Sequence, residues 1–299
     1  MVKSMQPLRA AIILALAMAG NAVTGAAGAA MADRPVPPVR PLIIGGEDTP
    51  QGRIPAMVSL QIRGADGNGE HFCGGTLITP RHVLTAAHCV DTEFFEELDP
   101  ATVQVVVDRA DLSDEGNGQV RRLARSTGED GTDPQWQIHL HPSWNRLNGF
   151  DVAVVELDAP VRGVPVVHLP TAGSDVLERP GRMLTASGWG YIFDNDTIKP
   201  SVLQSVALPV VSRLECSVVH ENAFHPQSLC AGVGGRGACS FDSGGPLYLD
   251  IAGADRTIQV GVTSSVGFYS RCAEVGAPTI FTRLADPEVQ AFIKETAGL

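Results

Sequence analysis

The chain lacks both an excess of positive charge and a long hydrophobic run. Its 299 residues contain 22 Lys and Arg against 33 Asp and Glu, which gives a formal net charge of −11 at pH 7. Nucleic acids and anionic membranes attract basic surfaces, so neither is expected as a partner. The one membrane-like segment, Ala10 to Ala19, is shorter than the roughly 20 apolar residues that a membrane-spanning helix needs.

That short segment and its surroundings are typical of a signal peptide. Basic residues precede it, and small residues follow it up to Ala30-Met31-Ala32, which is a small-x-small cleavage site. Residues 1–32 are therefore predicted to be a signal peptide. Residues 33–42 are dense in proline, which favours neither helix nor central strand. We expect them to form a short propeptide, and residues 43–299 to form the secreted domain, either extracellular or periplasmic.

Zinc-type cysteine spacing is also lacking. The chain has six cysteines but no Cys-x-x-Cys motif and no clustered Cys and His with ligand spacing. All six lie beyond the signal peptide, and an even number suits disulfides in an oxidising compartment. The sequence therefore predicts disulfides, no metal site and no cofactor.

Helical periodicity is scarce, and short β-like segments separated by turn residues dominate the chain. A pattern of many short strands favours closed antiparallel barrels. One helix is predicted over Asp286 to Thr296, because a proline stands at its first position. From Asp91 to about Thr132, acidic residues and glycines predict surface loops, with a calcium-binding loop as the alternative. The predicted strands are Met57 to Ile62, Leu77 to Thr85, Val103 to Val107, Trp136 to Leu140, Val152 to Leu157, Met183 to Ser187, Val202 to Leu208 and Gln259 to Thr263.

A serine set between an acid and two glycines, Ser243, is the candidate nucleophile. A serine hydroxyl needs an adjacent base, and that base needs a buried carboxylate to hold it. His88, in an alanine-rich segment, and Asp151, which opens an apolar strand-like run, are the candidates for these two roles. Their order along the chain is His, Asp, Ser, whereas subtilisins run Asp, His, Ser and α/β-hydrolases run Ser, Asp, His.

The chain resembles the chymotrypsin/trypsin family of secreted serine endopeptidases over nearly all of residues 43–299. The resemblance rests on ordered landmarks: Ile43-Ile44-Gly45-Gly46, His71-Phe72-Cys73-Gly74-Gly75-Thr76-Leu77, the His88 and Asp151 segments, Gly188-Trp189-Gly190, the Ser243 segment and Pro278-Thr279-Ile280-Phe281-Thr282-Arg283. It implies an all-β fold of two six-stranded antiparallel barrels that meet at a cleft, with a boundary near residue 160. The C-terminal helix is expected on the second barrel. The disulfides it implies are Cys73–Cys89, Cys216–Cys230 and Cys239–Cys272.

The resemblance also implies an oxyanion hole made by the backbone N–H groups of Phe241 and Ser243. Phe241 departs from the family, which nearly always has glycine there, and a bulky residue at an unfavourable φ costs roughly 1–3 kcal/mol. Two interpretations follow. In one, Phe241 still offers its N–H and projects into the leaving-group side of the cleft; in the other, catalysis is impaired and the protein is a protease-like binding or decoy protein.

Substrate choice and activation are implied in the same way. Gly237 is expected at the floor of the substrate pocket, without the carboxylate of trypsin-like enzymes, and Val266 and Thr279 are expected to make the pocket shallow and apolar, as in elastases. The alternative is that Gly267, one residue later, takes the place in the pocket assigned to Val266. Cleavage before Ile43 would free an amine that pairs with Asp242. The implied partners are protein or peptide substrates, an activating protease and protein inhibitors.

Overall fold

The computed structural model describes residues 43–93, 98–127, 134–145, 149–192, 199–221, 223–250, 256–267 and 271–299. The predicted signal peptide and propeptide lie outside these ranges. The strands are β1 Glu47–Asp48, β2 Met57–Arg63, β3 Gly69–Thr79, β4 His82–Thr85, β5 Val103–Val107, β6 Gln119–Arg122, β7 Ile138–Leu140, β8 Ala153–Glu156, β9 Met183–Gly188, β10 Gln204–Pro209, β11 Ser228–Ala231, β12 Pro246–Asp250, β13 Thr257–Ser265 and β14 Thr279–Arg283. The helices are α1 Ala87–Val90, α2 Arg213–Val219 and α3 Pro287–Ala297, with 3₁₀ turns at Ile43–Gly45 and Pro100–Thr102.

Within the described residues, the strands form two antiparallel sheets of seven strands each. The first has the order β6-β5-β2-β3-β4-β8-β7, and the second β1-β10-β9-β12-β13-β14-β11. Backbone hydrogen bonds beyond the strand ends close each sheet, because they link a segment near one edge of the sheet to a strand near the other edge. In the first sheet Ala124 N donates to Glu156 O at 2.8 Å, and in the second Val211 N donates to Cys230 O at 2.9 Å. The predicted all-β fold class is confirmed, with seven rather than six strands in each sheet.

The strand Val103–Val107 has the predicted ends, and the other predicted strands are present with shifted ends, except that one of them forms two strands. The predicted strand Leu77 to Thr85 is broken by a turn at Pro80 and Arg81, so that β3 and β4 form an antiparallel pair. Pro80 ends β3 because proline has no N–H group to donate to the backbone hydrogen bonds between strands. The predicted loop region from Asp91 to Thr132 is wrong in part, because β6 lies within it and pairs with β5.

The two largest of the four clusters of buried apolar side chains among the described residues form the main cores. The first sheet is packed mainly with β-branched residues and leucine, which suit pleated surfaces buried on one face. Its members include Val58, Leu60, Leu77, Val83, Leu84, Val105, Val107, Val154 and Val155. The second sheet encloses Ile43, Leu184, Val206, Leu208, Leu229, Leu247, Val260 and Phe281.

The C-terminal helix α3 packs on the first sheet, so the expectation that it packs on the second is wrong. Its buried residues Val289 and Ile293 are one turn apart and join the core cluster of the first sheet. Phe292, on the same helix, packs edge-on against the ring of His141 at 5.0 Å. The helix begins where the Asp286 carboxylate caps two backbone N–H groups.

The structure forms the three disulfides that the family resemblance implies. Cys73 joins Cys89, Cys216 joins Cys230, and Cys239 joins Cys272. Each closes a short or moderate loop, an arrangement worth about 3 kcal/mol per bridge in the loop-entropy model. No helix among the described residues is long and apolar enough to cross a membrane.

Candidate active site

Neighbouring strands bring His88 and Asp151 together. His88 lies on α1, just after β4, and Asp151 lies just before β8. These two strands are antiparallel neighbours, with Thr85 opposite Ala153, so the end of one meets the start of the other. His88 Nδ1 lies 2.7 Å from Asp151 Oδ2, and His88 N donates to Asp151 Oδ1 at 3.0 Å. The carboxylate thus fixes both the ring and the backbone of the histidine.

Two residues from the second sheet complete the surroundings of Asp151. The Ser264 hydroxyl donates to Asp151 Oδ2 at 2.6 Å, and the Thr282 hydroxyl donates to the Asp151 carbonyl at 2.8 Å. Asp151 is buried, and a buried carboxylate is tolerated when its oxygens are bonded in this way. Neither hydroxyl was predicted as a site residue, although Thr282 lies in the Pro278 to Arg283 motif, because the role of each depends on contact between the two sheets.

The pKa values of the pair move in opposite directions. Burial lowers the pKa of His88, but the charge of Asp151 and its hydrogen bond outweigh that effect and hold the pKa above 6.5. Burial raises the pKa of Asp151, and the His88 charge with the bonds from His88 and Ser264 brings it below 3.8. Asp151 is therefore ionised near neutral pH, and its charge favours the protonated form of His88.

Ser243 lies in the loop before β12, and this loop is attached to the first sheet. Gly74 N donates to Ser243 O at 2.7 Å. Gly244 has φ +79°, and a side chain there would collide with the Thr85 hydroxyl and the Gly74 carbonyl. Only glycine combines that conformation with so close an approach. Gly244, the first of the two glycines after Ser243, therefore allows the serine loop to pack against the strand that leads to His88.

The hydroxyl of Ser243 makes no hydrogen bond to His88 within the described part of the chain. His88 Nε2 instead lies 3.7 Å from Sγ of Cys89. Of the three predicted residues, His88 and Asp151 are therefore in direct contact. Ser243 is positioned by the hydrogen bond from Gly74 N to its backbone carbonyl. Bonds between a nucleophile and its base are often long before substrate binds, so this geometry is compatible with a catalytic role.

Phe241, two residues before Ser243, has φ +75°. This is the left-handed region that glycine adopts without cost and that a bulky residue rarely adopts. Its carbonyl accepts a bond from His71 Nε2 at 3.0 Å, and His71 Nδ1 in turn lies 2.8 Å from the Ser59 hydroxyl. Burial lowers the pKa of His71 to about 4, so the ring is neutral, and Nε2 carries its proton because a carbonyl can only accept. The loop therefore has the backbone conformation of a glycine at the position that carries Phe241.

Asp242 is buried, and within the described ranges its carboxylate is hydrogen-bonded to backbone groups alone. Its two oxygens accept bonds from Gly190 N and Cys239 N, both at 2.8 Å. Burial raises the pKa of Asp242 to about 7. A side chain on Gly188 or Gly190 would collide with the carboxyl group, which accounts for the two glycines of Gly188-Trp189-Gly190. Ile43, the other predicted activation residue, is fully buried in the core of the second sheet.

The predicted pocket residues lie at one end of the second sheet. A Cβ on Gly237 would lie 3.1 Å from Thr279 Oγ1, so these two residues are adjacent. Thr279 is buried, and its hydroxyl accepts a bond from Ala238 N at 3.2 Å. Val266 follows the end of β13, and the pairing of Ser265 with Ile280 puts it at the level of Thr279. Thr279 and the partly buried Val266 therefore lie at the same level of the second sheet, with Gly237 next to Thr279.

A cluster of metal-ligating atoms near His88 is explained by covalent bonding. Ligand atoms of Cys73, His88 and Cys89 lie within 4.8 Å of one another. The two sulfurs are joined in a disulfide. Because the thiolate is the form of cysteine that binds a metal, this cluster offers no thiolate ligands.

The chain is similar to known proteins over most of its length. The family model described as Trypsin matches residues 43–293. A relative, transmembrane protease serine 9 of Rattus norvegicus, is 34% identical over 250 residues, which cover 81% of this chain and 21% of the relative. The chain thus spans about a fifth of the length of that curated relative.

Proposed function

Since the chain belongs to the trypsin family of serine proteases, we propose that it is a secreted serine endopeptidase with the catalytic triad Ser243, His88 and Asp151. The observation that carries the proposal is the buried 2.7 Å contact between His88 Nδ1 and Asp151 Oδ2. That contact orients the imidazole, leaves Nε2 free to accept a proton and stabilises the charge that the ring then gains. Ser243 lies in the loop that Gly74 holds against the same sheet.

The reaction proceeds through an acyl-enzyme. His88 removes the proton of the Ser243 hydroxyl as the oxygen attacks the peptide carbonyl, and a C–O bond forms. His88 then gives that proton to the leaving amine as the C–N bond breaks. Water, deprotonated by the same imidazole, attacks the ester carbonyl and releases the acid product, and the proton returns to Ser243. Asp151 stays ionised throughout, in accord with its lowered pKa.

The negative charge on the carbonyl oxygen is stabilised by the N–H groups of Phe241 and Ser243. Removing one such donor from an oxyanion hole costs about 3 kcal/mol of transition-state stabilisation. The positive φ of Phe241 supports this role, because it is the conformation that a glycine would adopt there. Impaired catalysis, the basis of the decoy alternative, is not favoured.

The substrate pocket takes a small apolar side chain. Gly237 at the floor provides no negative charge for Lys or Arg, and the adjacent Thr279 occupies space that a long side chain would need. Val266, at the level of Thr279, narrows the entrance further. Alanine or valine before the scissile bond is therefore the preferred substrate class, as in an elastase.

Export and activation complete the proposal. Residues 1–32 are removed as a signal peptide and 33–42 as a propeptide, which leaves the protease domain at 43–299. An activating protease cuts before Ile43, and the new amine pairs with Asp242. The buried carboxylate with its raised pKa supports this step, because a buried acid is strongly stabilised by a cation that reaches it. Protein inhibitors are further partners.

The experiment is covalent labelling of the processed protein with a fluorophosphonate probe, which reacts with an activated serine. Rapid labelling that is lost in Ser243→Ala is expected, together with loss of peptide hydrolysis and an unchanged melting temperature. A matched control is Ser217→Ala, since Ser217 is a partly exposed serine on α2, outside the Ser243 loop. Absence of labelling in correctly processed protein would refute the enzyme and favour the binding protein.

A further inference from the structure

The side chain of Phe241 is enclosed by two residues outside the serine loop. Lys199 Nζ lies 4.3 Å from the centroid of the Phe241 ring, within the range of a cation–π interaction. The Tyr191 ring also packs against it in a T-shaped arrangement, with centroids 4.8 Å apart and planes at 78°. Such aromatic pairs are favourable beyond their buried area. The ring of Phe241 is therefore held by a cation and by an aromatic ring.

The cation is itself fixed in place. Lys199 Nζ donates to Glu70 Oε1 at 2.7 Å and to the backbone carbonyl of His71 at 2.9 Å. The same His71 donates from its ring to the carbonyl of Phe241 at 3.0 Å. Lys199 and His71 thus hold the ring and the carbonyl of one residue, and they contact each other. The ammonium has lost the freedom of an exposed lysine, since its side chain is only 20% exposed.

These contacts act on a residue in a costly conformation. A bulky residue at positive φ is a genuine outlier, and it persists only where its surroundings impose it. The hydrogen bond to the carbonyl is available to any residue at this position, including glycine. The contacts with the ring are available only to an aromatic residue, so they are specific to the departure from glycine.

We propose that Lys199 and Tyr191 are positioning residues that keep Phe241 in the left-handed conformation and so keep its N–H available to the oxyanion. The proposal rests on the proposed serine endopeptidase function and deepens it. Neither residue touches the reacting atoms. They act through contacts with the Phe241 ring. These contacts stabilise a backbone conformation that glycine would adopt without them. Lys199 and Tyr191 therefore offset the conformational cost of phenylalanine at position 241, and they are not needed when that position is glycine.

A double-mutant cycle tests this dependence. In processed protein with Phe241 intact, Lys199→Met is expected to lower kcat on a short peptide amide about tenfold, with KM within about twofold. Tenfold corresponds to about 1.4 kcal/mol at 25 °C. Phe241→Gly alone is expected to leave kcat within about threefold. In the Phe241→Gly protein, Lys199→Met is expected to change kcat less than about twofold, because the coupling partner has been removed.

Three further variants separate positioning from other effects. Lys199→Arg keeps a cation over the ring and is expected to restore most of kcat. Glu70→Gln, on a side chain that is 79% exposed, removes the charge that anchors Lys199 without disturbing the core; about a twofold loss of kcat is expected. Lys294→Met, on the exposed face of α3, removes one positive charge elsewhere and is expected to change nothing. Glu70→Gln decides the test if Lys199→Met does not fold.

The possible outcomes are distinct. An equal loss in both backgrounds would mean that Lys199 acts directly on the oxyanion or the substrate, and it would overturn the proposal. Full activity of Lys199→Met with Phe241 intact would do the same, as would a gain of more than about tenfold in Phe241→Gly alone. Failure of the unmodified processed protein to react with the fluorophosphonate would instead refute the proposed function.

Discussion

The buried carboxyl of Asp242 predicts how the stability of the uncleaved chain depends on pH. In the unfolded chain this group loses its proton near its ordinary pKa of 3.8, whereas the fold holds its pKa at about 7. The folded state therefore binds more protons between these values, so its stability falls as the pH rises through them. About three pH units at about 1.4 kcal/mol per unit give a loss of about 4 kcal/mol, complete above pH 7.

The assay is urea unfolding of Ser243→Ala protein, which cannot digest itself, with and without Asp242→Asn. Subtracting the two unfolding free energies at each pH removes the contribution of other titrating groups. Between pH 4 and pH 7.5, we expect this difference to fall by about 3–4 kcal/mol in the chain that begins at Asp33. In the chain that begins at Ile43, the fall should be under about 1 kcal/mol, because the new amine pairs with the carboxylate. Equal falls in the two chains would refute the pairing.

Three other predictions concern the processed enzyme. The acid limb of kcat/KM should have its midpoint above pH 6.5, because Asp151 holds the pKa of His88 above that value; a midpoint below 6.5 would contradict the assigned base. In a peptide library, alanine or valine before the scissile bond should be preferred over Arg, Lys or Phe, and Thr279→Gly should admit larger apolar residues; a preference for Arg would defeat the pocket model. N-terminal sequencing of active protein should find Ile43 first, and an active species that begins at Asp33 would rule out the activation step.

The sequence predicts elements best where propensity and pattern agree. The strand Val103–Val107 has the predicted ends, because four of its five residues are the β-branched valine. The strand Pro246–Asp250 was missed since it begins with proline directly after a glycine pair, which is a turn signal. The short strand Glu47–Asp48 was missed because both residues are exposed and charged. Its pairing with β10 is decided by tertiary structure alone.

The site could be predicted where its residues lie in recognisable local motifs. His88, Asp151 and Ser243 stand in such segments, and the structure brings the first two into contact. Ser264 and Lys199 could not be predicted, since each acts through a contact with a residue more than forty positions away. Contacts of that kind depend on how distant segments of the chain meet in the fold, which no periodicity in the sequence describes.

The bond between Cys73 and Cys89 has a consequence for where this protein can work. Cys73 is next to Gly74, whose N–H holds the Ser243 loop, and Cys89 is next to His88. One covalent link therefore sets the spacing between strand β3, which is hydrogen-bonded to the Ser243 loop, and the helix that carries His88. A thiol-rich compartment that reduced this link would loosen that spacing while the hydrophobic cores remained. We therefore expect the chain to lose the proposed alignment of Ser243 with His88 before it loses its fold.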